Sequence, residues 1–176
     1  MRCLCKDRSR KSVAPQASAA RRNVIAADIA ERTGIDERMI AQLVHSFYKS
    51  ARRDPTIGPI FERHVADWDA HLARMCDFWS SVALMSGRYH GQPMVAHLLL
   101  PIEAPHFGRW LELFAAAARE VCPPSAAAHF VARAERIAES LQFGIRAQRA
   151  RAETDSGRRS AFPCPDVHPR VRVGDA

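Results

Sequence analysis

The chain has 176 residues, 47% of them hydrophobic and 26% charged, which suits one folded domain with a core of its own. No apolar run approaches the ~18 residues of a membrane span, so no membrane association is expected. The net charge of +7 would suggest a nucleic-acid partner, but residues 1–22 hold seven Lys/Arg against one acid and residues 146–176 hold seven Arg against four acids, leaving twelve bases and fourteen acids for residues 23–145. The basicity belongs to the two ends and the body is slightly acidic, so no nucleic-acid partner is expected.

Residues 1–22 (MRCLCKDRSRKSVAPQASAARR) lack the continuous apolar core of a secretory signal and read as a disordered basic extension. From residue 23 to 146 the apolar period is helical and almost nothing alternates with period two. NVIAADIAERTG reads as a short helix stopped by Gly34. IDERMIAQLVHSFYKSARRD starts a longer one, with Asp36 as N-cap and Ile35 and Ile40 spaced as a hydrophobic staple. Its apolar stripe is Ile40, Leu43, Val44, Phe47 and Ala51. In DPTIGPIF the residues Pro55, Gly58 and Pro59 are read as punctuation that ends the helix.

WDAHLARMCDFWSSVALM is the next helix, with a stripe of Trp68, Leu72, Met75, Trp79 and Val82 and with Gly87 as a stop. The loop GRYHGQP precedes the short apolar stretch MVAHLLL, which has room for about two helical turns before Pro101. PHFGRWLELFAAAAREVC opens with Pro105 near the first helical position and buries Phe107, Trp110, Leu111, Phe114 and Val121. The last helix, AAAHFVARAERIAESLQFGI, carries Phe130, Ala134, Ile137, Leu141 and Ile145 on one face. Residues 147–176 are read as a disordered Arg/Pro-rich tail. The expected fold is all-α, a domain of five or six helices between two tails. The five cysteines are an odd number scattered over tails and helices, which fits a reducing cytoplasm better than a disulfide framework.

Three polar groups sit on apolar faces. His71 lies one turn from Trp68, Tyr48 flanks Phe47 four residues after Val44, and His97 interrupts the apolar run MVAHLLL. A buried imidazole or phenol must find a partner, so each alone is best read as a satisfied core residue. Three on three helices point instead to a shared compartment between helices. His71 and His97 are not spaced as a zinc pair, and no Cys or carboxylate is placed to complete a tetrahedral site. An iron already held by a macrocycle needs a single protein ligand. Such a pocket also wants large flat apolar side chains, which Phe47, Phe61, Phe78, Trp79, Trp110 and Phe114 would supply.

The ordered set FY at 47–48, GPIF at 58–61, W-x-x-H at 68–71, FWSSV at 78–82, GRYHGQP followed by His97, and HFGRWLELF at 106–114 resembles the truncated haemoglobins, most of all their third group. The match spans roughly residues 36–145. The resemblance implies a truncated globin-like helical sandwich around a haem b pocket. It implies His97 as the iron ligand on the proximal side. It implies Tyr48 and Trp110 as distal groups that stabilise a bound ligand, and His71 as a distal-side histidine that gates access. Phe61 matches the phenylalanine that packs on the haem, with Phe47 beside Tyr48 and Phe78 also in the pocket. Arg74, Arg88, Tyr89 and Arg109 are candidates for the haem propionates, each also readable as plain surface charge. No separate catalytic residue is assigned.

The expected function is reversible binding of O₂ and other small gases such as NO and CO, with chemistry between O₂ and NO on the bound ligand as an extension. Two alternatives stand beside it. One is a haem-dependent NO dioxygenase or peroxidase, which would need a separate reductase because the chain carries no flavin or nicotinamide motif. The other is a haem-free helical interaction module with a packed histidine.

Overall fold

The computed structural model describes residues 13–160. Among them are seven helices: α1 (Val13–Thr33), α2 (Glu37–Ala51), α3 (Gly58–His64), α4 (Trp68–Ala83), α5 (Pro93–Leu98), α6 (Ala104–Val121) and α7 (Pro124–Ser160). The expected all-α fold is found. Proline opens several of these helices, standing at the first or second position of α3, α5 and α6, where its missing N–H costs nothing.

The helix boundaries follow local chemistry. Asp36 caps α2 by accepting from the Met39 N–H at 2.7 Å, and Ile35 and Ile40 are both buried as the staple pattern requires. Asp67 caps α4 in the same way through the Ala70 N–H at 3.0 Å. Gly34 ends α1 with φ +70, the left-handed conformation that a side chain would resist.

Two expectations about extent need correction. The segment around Pro59 does not merely end a helix. It begins α3, because the Asp54 carboxylate collects the Thr56 and Ile57 N–H groups and Pro59 is well suited to a first turn. The two ends are also more helical than the expected tails: residues 13–22 belong to α1 and residues 147–160 to α7. Stretches such as IRAQRARAE consist of strong helix formers, so a helix that has begun in the core can continue into solvent on propensity alone. Residues 1–12 and 161–176 lie outside the described residues, and Cys3, Cys5 and Cys164 with them. Among the described residues Cys76 and Cys122 are free thiols. No helix among the described residues is long and apolar enough to cross a membrane.

α2 packs against α4 and α6, and α7 runs against α6, α5, α4 and α1. The main core joins α2, α4, α6 and α7 through Ile40, Leu43, Val44, Phe47, Trp79, Phe114 and Phe130. Every residue of the expected α2 stripe is buried. The α4 stripe is not: Trp79 is buried, whereas Trp68, Leu72, Met75 and Val82 are half-buried against the core. A second cluster of Ile102, Phe107, Ala138, Leu141 and Ile145 seats α5 through Met94 and Leu98. Two side chains of α7 also satisfy chain ends elsewhere: Arg133 Nε donates to the Val82 carbonyl at the end of α4, and Arg149 Nη2 to the Ile102 carbonyl beyond α5.

Candidate functional site

A cavity of about 340 Å³ lies between these helices, a size usual for a small-molecule site. Phe47 and Tyr48 of α2, Phe61 of α3, His71 and Phe78 of α4, His97 of α5 and Trp110 of α6 all line it. The seven residues singled out in the sequence, scattered over 64 positions, therefore share one compartment. Trp79 also lines it, whereas Phe114 lies behind the wall in the core.

The His97 ring has a defined orientation. Its Nδ1 sits 2.7 Å from the Pro93 carbonyl oxygen one turn earlier on α5. A carbonyl can only accept, so Nδ1 carries the proton and Nε2 of the neutral ring keeps its lone pair. Backbone alone thus fixes the tautomer that a ligating imidazole needs. Among the described residues no three His, Cys, Asp or Glu come together, so His97 stands without the companions that a bare metal ion would need.

The wall contributed by α2, α3 and α4 is an aromatic cluster with polar tips. Tyr48 stands edge-on to Phe47 at 4.8 Å, Phe61 at 5.4 Å, Trp68 at 6.0 Å and His71 at 5.0 Å between centroids. Edge-to-face contacts of this kind lock ring orientations. Burial pushes the Tyr48 phenol well above its ordinary value, so the hydroxyl keeps its proton and remains a donor. His71 Nε2 is buried with no hydrogen-bond partner among the described residues. His129 Nε2 is unpartnered in the same way, but only His71 lines the cavity, where an occupant could satisfy it. Arg52 stacks over Trp68 at 4.1 Å and pairs with Glu62 at 3.0 Å, closing the outside of this cluster.

The four candidates for an anionic rim separate. Arg74 and Tyr89 line the cavity. Arg88 is turned away, bridging Glu37 at 3.2 Å and Asp77 at 2.8 Å, and Arg109 is held by Asp54 and Glu112 at 2.7 and 2.8 Å. Neither faces the cavity, because each finds carboxylates on neighbouring elements that no reading of spacing could foresee. Tyr89 is folded back across the loop: a side-chain carbon added at Gly91 would collide with the Tyr89 hydroxyl and ring. Gly91 is thus the residue that allows Tyr89 to lie at the wall, edge-on to Phe78 at 5.2 Å. His64, Val65 and His106 also line the cavity and were not singled out in the sequence. His106 lies one turn before Trp110 in the stretch HFGRW, which could have signalled it. His64 sits on α3, the helix that punctuation residues concealed.

Two imidazoles give the protein a pH dependence. Burial lowers the His71 proton affinity, with Arg74 adding to the effect; burial and then Arg133 lower that of His129, against a smaller opposing pull from the Ala83 backbone. Both rings are neutral in the fold at pH values where the unfolded chain, with imidazoles near ~6.5, already takes up protons. Stability then rises with pH, is complete above about pH 6.5, and is lost as pH falls through the lower folded values. The melting temperature is expected to drop as pH is stepped down from about 6.5, and to drop less in His71→Phe. A profile that stays flat through this range, or is unaltered by the substitution, would show that the ring is not held neutral.

These walls fit a flat apolar macrocycle held by one imidazole. Aromatic and aliphatic side chains dominate the lining, and one buried ring nitrogen in it, His71 Nε2, is left unpartnered among the described residues. Two lining histidines have Nδ1 engaged by a carbonyl one turn earlier, His97 by Pro93 and His64 by Ile60, and of the two only His97 is half-buried, His64 being exposed. No protein-family model matches the chain. The chain is similar to the group 3 truncated haemoglobin ctb of Campylobacter jejuni, at 38% identity over 85 residues, 46% of this chain and 67% of that protein. The crystal structure of a group III truncated haemoglobin from Campylobacter jejuni superposes with a TM-score of 0.60 at 34% identity, covering 63% of this chain and 91% of the other.

Proposed function

Because the chain belongs to the group III truncated haemoglobins, we propose that it holds haem b in the cavity between α2, α4, α5 and α6 and binds small gases there, O₂ first among them. The observation that carries this reading is His97, whose Nε2 lone pair is left free by the Nδ1 bond to Pro93. When bound, haem would supply an iron able to take one protein nitrogen and a diatomic gas.

His97 is the ligand and the Pro93 carbonyl its orienting partner, which also makes the ring a stronger donor. Phe47, Phe61, Phe78 and Trp79 exclude water and offer apolar surface to the macrocycle. Arg74 and Tyr89 are the groups at the wall suited to its carboxylates. Tyr48 offers an O–H and Trp110 an indole N–H to a small ligand in the same cavity, and in a dry pocket such donors favour an oxygen atom that carries partial negative charge. Two donors on one small ligand favour retention over rapid release. His71, with an unpartnered Nε2, supplies the remaining polar tip and the group suited to gating.

The test is the absorption spectrum of the purified protein, oxidised, reduced and with CO, after expression with haem supply. A Soret band that shifts on reduction and on CO addition is the expected result. A colourless protein that takes up no added haem would favour the haem-free interaction module.

A second expectation concerns Tyr48. A neutral hydrogen bond is worth about 1 kcal/mol, which is about fivefold in rate. Tyr48→Phe removes the donor and little volume, so O₂ dissociation from the haem-loaded protein should speed by about that factor. An unchanged off-rate in stopped-flow displacement by CO would place the phenol outside the ligand's reach.

A further inference from the structure

Asp54 is a buried carboxylate whose side chain is 3% exposed, and it lies outside the cavity lining. Its two oxygens do different things. Oδ1 accepts from the Thr56 and Ile57 N–H groups at 2.9 and 3.1 Å, which shapes the turn into α3. Oδ2 accepts from Arg109 Nε at 2.7 Å, on α6 and 55 positions away. Arg109 reaches on to Glu112 through Nη1 at 2.8 Å. One carboxylate therefore ties the segment that carries Ile57, Ile60 and Phe61 into the cavity wall to the residue immediately before Trp110.

A turn alone does not call for this arrangement. Capping the turn uses Oδ1 only, and an asparagine or an exposed aspartate would serve. Burying a carboxylate is costly unless it is paired, and a buried ion pair is a weak device for stability compared with apolar packing. What such a pair does offer is a fixed distance and orientation between two elements. Arg109 is partly exposed, so its long side chain is held in place by the carboxylates it meets. Burial would raise the Asp54 carboxyl, yet the Arg109 bond and the two backbone N–H groups hold it below its usual range, so the tie stays ionised at neutral pH.

We propose that Asp54 and Arg109 are positioning residues for the ligand site, whose ion pair sets where the Trp110 indole stands relative to Tyr48 and Phe61. The inference rests on the haem reading for its functional consequence but not for its geometry. Asp54→Asn keeps the Oδ1 acceptor and removes the charge; Arg109→Gln removes the cation at a half-exposed position and keeps the chain foldable if the first variant is not.

Both variants should retain haem at wild-type stoichiometry. Each should change O₂ dissociation at least threefold and shift or broaden the C–O stretch of the CO-loaded protein in the infrared. Each should also move the indole N–H cross-peak of Trp110, assigned by Trp110→Phe, with or without haem. Arg109→Lys should restore these signals in part, and Glu112→Gln, which leaves the bond to Asp54 in place, should move them less than Arg109→Gln does. Variants with normal haem content in which off-rate, C–O stretch and the Trp110 cross-peak all match the parent would overturn the proposal. So would changes that track loss of melting temperature and are not relieved by lysine. A chain that takes up no haem would sink the proposed function, while the Trp110 cross-peak of the haem-free protein would still decide whether the pair positions the indole.

Discussion

His97→Ala is expected to purify without stably bound haem. Most of the remaining lining is apolar or aromatic and can attract a macrocycle but not fix an iron. Of the other lining histidines, His64 is exposed, His106 is engaged by the Glu103 N–H, and His71 stands edge-on in the aromatic cluster of Tyr48. His97 enters the cavity from α5, a helix of only six residues, and its ring is oriented by a bond to the first residue of that same helix. Removing the imidazole leaves the Pro93 carbonyl and the seating of α5 on Ile102, Leu141 and Ile145 in place. The fold should therefore survive while the ligand bond is lost. Haem added to the variant should wash out on gel filtration, and free imidazole in the buffer should restore part of the Soret band by supplying the missing nitrogen. Wild-type haem content and an unchanged reduced spectrum would remove His97 as the ligand and with it the whole assignment.

Phe114→Ala should be the most damaging substitution for stability. Phe114 is 1% exposed and is the hub of the aromatic core. It stacks on Trp79 at 4.5 Å and on Trp110 at 5.3 Å and meets Phe47 edge-on at 5.6 Å. Removing such a ring leaves a cavity that rigid aromatic neighbours cannot fill, a loss of about 3–5 kcal/mol. For a chain of this length that corresponds to a fall of roughly 10 °C in melting temperature. Phe143→Ala, at a ring that is 71% exposed, is the matched control and should change almost nothing. Because Phe114 backs Trp110 and Phe47, its loss should also loosen the ligand wall, giving faster O₂ dissociation in whatever protein remains folded. A drop of under 2 °C by calorimetry would contradict the role of Phe114 as hub.

The long helices were legible because each buries one face. A stripe such as Ile40, Leu43, Val44, Phe47 and Ala51 repeats at the helical period for the same reason that it packs, and the structure buries all five. Caps were legible for a related reason, since Asp36 acts on an N–H only three residues away. α3 escaped because two turns are too short to show a period and because Pro59 and Gly58 read equally well as a break. The helical ends of α1 and α7 escaped because helix propensity without a buried face leaves no stripe to read.

The compartment itself had a different origin. Composition and periodicity marked Tyr48, His71 and His97 as misplaced polar groups in a shared compartment, and the resemblance to a family supplied their roles and the other four pocket residues; neither gave the geometry by which five helices enclose one space. That depends on how α2, α4, α5 and α6 cross, which is a matter of long-range packing. The same holds for charge. Arg88 and Arg109 looked as free to reach a cofactor as Arg74, and the fold commits both to carboxylates brought near by other elements. Local patterns of burial and capping are written into neighbouring residues, so they can be read along the chain. The partners of a guanidinium and the tie from Asp54 to α6 come from contacts across it, and those exist once the helices have packed.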